Sequence, residues 1–355
     1  MNNNDQSATS QADAAVADAP PPDPADAQPQ VLRRSLEYLV RTPALWTYLA
    51  LIVLLVAFAI LSGGTFATVS NFRNILLDGS LLLIISVGMT AVIITSGIDL
   101  SVGGVTIFAS VVGAQTMGAL GGDSVTTVLG GLVAAILAGI AWGAISGIMV
   151  GYLRIVALIA TLGTLGMATG LAFVITGGVN VRSVPTWLVL GVGNGSFQGV
   201  PYLVIIAAIV AVIGHFFLSA TKRGLYLYAI GSNEDAAMRA GVRVRSMTTL
   251  VYVIAGALAG LAGFLTLARF GTTALAGHTT DNLQAIAAVV LGGTSLFGGR
   301  GGIPGTVAGV FIPVVLTNGF IILGMGPFWQ QFAIGFVLVL AVYADQLRRK
   351  RFDST

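Results

Sequence analysis

SATKRGLYLYAIGSNEDAAMRAGVRVRS, residues 219–246, is the only long hydrophilic interval inside an otherwise apolar chain of 355 residues. It carries Lys222, Arg223, Arg239, Arg243 and Arg245 beside Glu234 and Asp235. On both sides the sequence turns apolar, in runs near the ~20 residues that a helix needs to cross a bilayer. Charged residues are only 9% of the chain against 55% hydrophobic ones, and mean hydropathy is +0.91. A soluble domain of this length needs roughly a quarter of its residues charged. The chain therefore reads as an all-α polytopic membrane protein. It has no cysteine, which excludes a disulfide framework, a thiol nucleophile and a cysteine metal site. His215 and His278 are too few and too isolated for a dedicated metal centre.

Working outward, ten apolar segments are predicted as helices, at about 44–62, 75–96, 101–119, 125–150, 157–177, 200–218, 247–268, 283–297, 303–323 and 328–345. With a cytoplasmic N-terminus, the inner segments collect Arg33, Arg34, Arg41, Arg154, Lys222, Arg223, Arg239, Arg243, Arg245, Arg300, Arg348, Arg349, Lys350 and Arg351. Only Arg73, Arg182 and Arg269 fall outside, as the positive-inside rule demands. Both termini and the 219–246 loop are thus expected in the cytoplasm. Residues 1–40 form an expected disordered extension, since 1–30 are rich in Ala, Asp, Pro and Gln and lack the basic and apolar regions of a signal peptide. Residues 41–348 make the expected membrane domain, and 349–355 a short tail.

Glycines recur at helical spacing. Gly139, Gly143, Gly147 and Gly151 share one face of the fourth segment, Gly256 and Gly260 of the seventh, and Gly305 and Gly309 of the ninth. Such faces let helix backbones approach closely, the preferred reading over a glycine-lined pathway. Asp99, in TSGIDLSVGG, is an ionisable residue beside an apolar interior. An acid at that depth suggests function, but its position before a helical run favours capping or locking of the turn. Solute contact and proton coupling are the competing readings. GGTSLFGGRGGIPG (292–305) lacks the Gly-Lys pair of a phosphate-cradling loop and reads as a tight turn at the membrane interface. No Ser-His-Asp set, catalytic carboxylate pair or HExxH motif appears, so no enzymatic chemistry is expected within the chain.

Within the hydrophilic loop, Asn233, Glu234, Asp235, Ala236, Ala237, Met238, Arg239, Ala240 and Gly241 have the grammar of a short helix. Ser232 or Asn233 caps it, the two acids suit its first turn, Arg239 its last, and Gly241 a left-handed end. A two-turn helix is marginal alone. Insertion into a partner's groove and packing on its own bundle are equally open from the sequence.

Three segments together resemble a known family. TSGIDLSVGGVTIFASVVGA (95–114), AIGSNEDAAMRAGV (229–242) and AIAAVVLGGTSLFGGRGGIPGT (285–306) are similar to the signature stretches of ribose-type sugar permeases. These are membrane subunits of bacterial ATP-binding-cassette importers, distantly related to branched-chain amino-acid permeases. The likeness covers about 40–348, and GIDLSVG points to its carbohydrate branch. It implies a multi-pass protein of the inner membrane, forming a homodimer or a heterodimer with a paralogue. It also implies cytoplasmic ATPase subunits and a periplasmic or lipid-tethered sugar-binding protein. ATP and Mg would be used by the ATPase, with no cofactor in this chain and no nucleic-acid partner. The helix at Asn233–Ala240 would be the coupling helix that enters a cleft of the ATPase. Ala157-Leu158 before IATLG (159–163), TGLA (169–172) and NLQAIAA (282–288) depart from the family's pattern, in regions expected to touch the pathway or its outer gate.

From polarity and motif position, Asp99, Ser101, Thr161, Asn180 and Thr294 are the candidate pathway residues for a hydroxyl-rich solute. An ion-coupled carrier is the alternative, with Asp99 as its one candidate coupling acid. A passive channel finds no ring of charges or repeated filter in the sequence.

Overall fold

The computed structural model describes residues 43–353. The expected disordered extension with Arg33 and Arg34, and Arg41 just after it, lie outside the described residues. Helices fall at each of the ten expected places: α1 (Pro43–Leu61), α2 (Val69–Ile94), α3 (Val102–Leu120), α4 (Val125–Gly151), α5 (Ala157–Thr176), α6 (Tyr202–Ala220), α9 (Val244–Phe270), α10 (Asp281–Leu291), α11 (Ile303–Ile322) and α12 (Pro327–Asp353). Between α6 and α9 lie two more, α7 (Lys222–Ser232) and α8 (Glu234–Arg239). By length and composition, seven are suited to crossing a membrane: α2–α6, α9 and α11. The apolar parts of α1 and α12 are shorter, and α10 has 11 residues. At about 1.5 Å per residue, α10 reaches only about half of a ~30 Å hydrocarbon core. The expected segment at 283–297 is therefore shorter than the sequence suggested, because Gly292 and Gly293 start the turn after α10. α12 runs as helix through most of the expected tail.

Local signals explain the boundaries. Thr68 and Ser124 cap α2 and α4 by accepting from the N–H groups of Asn71 and Thr127. α5 and α9 end where Gly177 and Gly271 turn left-handed. The long connection from α5 to α6 holds a π-helical turn at Leu188–Gly193 and a minimal hairpin, β1 (Ser196–Phe197) with β2 (Val200–Pro201). Neither was foreseen in the sequence.

α2 is the central helix. In its most apolar window 94% of positions are buried, against 28% for α4 and 22% for α6, so it sits inside the bundle while they form its wall. The glycine faces bring backbones into contact. A Cβ at Gly139 would lie 2.1 Å from the Gly256 carbonyl oxygen, and one at Gly143 2.4 Å from that of Tyr252, so α4 lies directly on α9. Gly309 does the same for α11 on α10, where a Cβ would come within 1.9 Å of the Ala288 carbonyl oxygen. Close packing is thus the role of these faces. Such approach matters in lipid, where helix association has no hydrophobic drive. Connectivity puts α7–α8, the α4–α5 loop and the 292–302 turn at one end of the bundle. The 177–201 and 271–280 connections are at the other.

Candidate functional site

Two places carry the polar chemistry of the bundle, one near each end. At the end away from α8, a cavity of about 450 Å³ is lined by Asp78, Asn180, Phe270, Thr272, Thr273, His278, Asp281, Gln284, Thr317 and Asn318 with several apolar residues. Its walls are tied across the fold. Thr273 receives a hydrogen bond from the Val181 N–H at 2.8 Å and donates its own N–H to the Val181 carbonyl at 3.0 Å. Asn180 accepts from the Leu275 N–H at 3.1 Å, so the two connections at this end form one wall. On the other side Asn318 and Asn71 exchange reciprocal amide bonds of 2.9 Å, and Asn71 also donates to the Phe66 carbonyl.

The charges at this cavity are matched. Arg269 lies 3.5 Å from Asp78 and donates to Asn74 at 3.3 Å. His278 Nδ1 is 2.6 Å from Asp281 Oδ2. Asp78, in ILLDGSLLL (75–83), is an acid within an apolar run, a signal as plain as that of Asp99 and overlooked in favour of it. His278 and Asp281 stand in a polar stretch before a helix, and only the fold brings them to the cavity.

Of the five candidate pathway residues, Asn180 alone lines this cavity. Asp99, Ser101 and Thr161 gather behind it around the irregular segment 95–101. Asp99 is fully buried and accepts from both the N–H (2.8 Å) and the hydroxyl (2.5 Å) of Ser101. Those bonds lock the turn, while the first turn of α3 has no side-chain cap. Thr161 donates to the carbonyls of Ala157 (2.8 Å) and Ile98 (3.3 Å). Asn282 donates to Leu100 at 3.3 Å, and Gly103 lies flat against the His278 backbone, so this segment backs the start of α10. Thr294 is buried in the 292–302 turn with its hydroxyl unpartnered.

The second place is the junction beneath α8. Gly299 donates its N–H to the Ile94 carbonyl at 2.9 Å, and Ser96 Oγ donates to the carbonyls of Phe297 (2.8 Å) and Gly231 (3.3 Å). A Cβ at Gly231 would lie 1.8 Å from the Ile94 oxygen and 2.5 Å from the Gly299 nitrogen. Tyr228, on α7, donates to the Gly301 carbonyl at 2.9 Å. Burial pushes its phenol above the ordinary value, which keeps it a donor. The 292–302 turn reaches this packing through left-handed Gly293, Gly298 and Gly299, as expected of a tight glycine turn.

α8 has the anticipated ends. Asn233 Oδ1 accepts from the Ala236 N–H at 2.9 Å, Glu234 and Asp235 occupy the first turn, and Gly241 has φ +84°. Ala237 is buried with Ile230 and Val244, whereas Asn233, Glu234, Asp235, Ala236, Met238, Arg239, Ala240 and Gly241 are exposed. The helix rests on its own bundle by Ala237 and by the Arg154–Glu234 ion pair, and leaves the rest open. The preceding half of the hydrophilic loop is not irregular but the 11-residue helix α7.

Comparison with known proteins agrees with this architecture. Residues 71–342 match the family described as branched-chain amino acid transport system / permease component. The chain belongs to this family. It is therefore a membrane transport component rather than an enzyme. The ribose import permease of Escherichia coli K12 is 39% identical over 309 residues, 84% of this chain and 94% of that protein. The D-allose transport system permease of the same strain is 32% identical, over 86% of this chain and 92% of that one. The fructose import permease of Rhizobium meliloti is 30% identical, over 92% and 91%. No solved structure matches the chain.

Proposed function

We propose that this chain is the translocation subunit of an ATP-binding-cassette importer of the bacterial inner membrane, carrying a monosaccharide or similar hydroxyl-rich solute. The ten apolar segments make ten crossings, α10 completing its own only with the connections at its ends, with α7–α8 and both termini in the cytoplasm. Two copies, or this chain and a paralogue, assemble with ATPase subunits that bind ATP and Mg, and an extracytoplasmic binding protein delivers the solute. The relatives named as ribose, fructose and allose permeases support the solute class. The single observation that carries the reading is the coexistence of a polar cavity at one end with a capped, exposed helix at the other.

The lining suits the solute. Amides and hydroxyls from Asn180, Thr272, Gln284, Thr317 and Asn318 offer donors and acceptors, and Phe270 offers an apolar face. Neither Lys nor Arg is among the lining residues to pair an anion.

Between the two ends runs a continuous series of contacts. α8 follows α7 directly, and Gly231 of α7 touches the chain at both Ile94 and Gly299. Ile94 leads through 95–101 to the start of α3, and Gly299 lies in the turn after α10, whose first residue is Asp281. Closure of the ATPases on ATP would shift α8 and with it both segments that back the cavity, biasing two access states. The test is uptake of radiolabelled D-ribose, D-fructose and D-allose by proteoliposomes holding the permease, its ATPase and its binding protein. ATP-dependent uptake of at least one supports the reading. Uptake that persists without the ATPase and follows a proton gradient overturns it in favour of an ion-coupled carrier.

A further inference from the structure

The lining residue that the foregoing leaves unexplained is His278. It is only 7% exposed, and it sits at the end of the 271–280 connection, just before α10. Its Nδ1 meets the Asp281 carboxylate at 2.6 Å. That carboxylate engages Nδ1 and orients the ring, which leaves Nε2 as the ring nitrogen free for a ligand. Nε2 is buried and has no hydrogen-bond partner, and the same is true of Thr317 Oγ1 on α11. Both residues line the same cavity.

We propose that His278 Nε2 reads a hydroxyl of a neutral saccharide bound in this cavity, with Asp281 as the positioning residue and Thr317 contributing a second contact. The assignment rests on the reading of the chain as a sugar permease and names the group that does the recognising. Leaving a buried polar atom without a partner carries its full desolvation cost. A solute that supplies the missing partner recovers this, and a solute lacking the hydroxyl does not.

The chemistry selects for polyols. A sugar hydroxyl, being both donor and acceptor, pairs with Nε2, and other hydroxyls accept from Thr317 and the Asn318 and Gln284 amides. A carboxylate would face the acids Asp78 and Asp281 without a lining Lys or Arg. Amino acids and organic acids are thereby disfavoured, although the family as a whole is described by amino-acid transport. The site lies within a single chain, so each copy in an assembly would hold its own.

The test compares wild-type, His278→Leu, His278→Gln and Asp281→Asn permeases in the complete reconstituted transporter. Radiolabelled D-ribose, D-fructose, D-allose and their monodeoxy analogues are supplied at concentrations that saturate the binding protein. The same binding protein serves every variant, so its preferences cancel in the mutant-to-wild-type uptake ratio for each sugar. His278→Leu is expected to lower uptake of the parent sugar about tenfold. Uptake of the one analogue that lacks the recognised hydroxyl should be unchanged by this substitution. His278→Gln, which keeps an acceptor, should recover part of the loss, and Asp281→Asn should show the same analogue pattern in weaker form. Thermal unfolding of each purified complex separates loss of contact from loss of fold. An equal uptake loss for all analogues, or none for any, overturns the assignment while leaving the sugar-permease reading intact. Absence of saccharide uptake by the wild type overturns both.

Discussion

The junction under α8 and the cavity at the opposite end are built from different material. At the junction, Ile94, Gly231 and Gly299 meet through main-chain atoms, tied by the short Ser96 hydroxyl, with no room for one additional carbon at Gly231. The cavity keeps about 450 Å³ open and meets it with side-chain amides, hydroxyls and a His–Asp pair. Backbone contacts without intervening side chains have few alternative arrangements, so displacement at one is passed to its neighbours. Side-chain groups around open space can form and release weak contacts with a moving solute. One end of the molecule is shaped to transmit position and the other to hold cargo loosely.

The sharpest way to break this contrast is to enlarge Gly231. Gly231→Ala places a methyl group against the Ile94 oxygen and the Gly299 nitrogen, and neither backbone can withdraw without disturbing α2 or the 292–302 turn. The expected cost is about 3 kcal/mol, the upper part of the usual overpacking range. Differential scanning of the purified complex should show a clearly lowered unfolding temperature, with uptake abolished. The comparison is Gly170→Ala on α5, which meets nothing within 4 Å and should behave as wild type. Equal tolerance at both positions would refute the rigid junction.

At the cavity the expected effect is smaller and falls on a different quantity. Asn318→Ala removes one half of the reciprocal amide pair and leaves Asn71 Oδ1 without its partner. A destabilisation of about 1–2 kcal/mol follows. Because Asn318 also lines the cavity, the half-saturating solute concentration for uptake should rise several-fold while ATP hydrolysis remains. A change in hydrolysis with no change in that concentration would mean that Asn318 belongs to the coupling machinery instead.

The close-packing glycine faces and the caps of α8 were legible in the sequence, and little of the cavity was. Helical spacing of Gly139, Gly143, Gly256 and Gly260 announced faces for close packing, though not that α4 and α9 meet each other, because close packing leaves a periodic trace along the sequence. The caps of α8 were legible for the same reason, as Asn233, Glu234 and Gly241 act on their immediate neighbours. The cavity leaves no such trace. Asp78, Asn180, His278 and Thr317 come from two helices and two connections, and no local periodicity relates them. Asp99 drew attention as an acid in an apolar context, yet its bonds are satisfied two residues away at Ser101. The helix α7 was also missed. Its start signal, Thr221, which caps it by accepting from the Gly224 N–H, stands among charged residues that read as loop, and Leu227 and Ile230 pack it onto the bundle.

Removal of the cap of α8 probes the exposed surface above the junction. Asn233→Ala deletes the acceptor of the Ala236 N–H and should cost about 1 kcal/mol of local helix stability. For a helix of six residues this lowers the formed fraction appreciably, since short helices are marginal. The number of solute molecules imported per ATP hydrolysed should fall two- to fivefold, as an order-of-magnitude expectation from that loss. Pro at Ala236 or Gly at Ala237 should deepen the same uncoupling, while the unfolding temperature of the membrane bundle stays near wild type. Undiminished import per ATP in all three variants would remove α8 from the coupling path.

The smallest effect is expected at Arg154, whose guanidinium pairs with Glu234 across the α4–α5 loop. Both side chains are close to half exposed, and pairs of that kind contribute about 0–1 kcal/mol. Arg154 also has a left-handed backbone, φ 59°, which opposes the benefit of the pair for a residue with a Cβ. Two substitutions separate these contributions. Arg154→Ala loses the pair and keeps the backbone strain, so stability should fall slightly, by about 0.5 kcal/mol. Arg154→Gly loses the pair and relieves the strain, and its greater unfolded-state freedom offsets part of that relief. The glycine variant should therefore unfold at or above the temperature of the alanine variant. If the pair steadies α8 rather than the bundle, both variants should show the same modest fall in import per ATP whatever their stability. An import ratio that follows the unfolding temperature instead would show that Arg154 acts only through the α4–α5 loop.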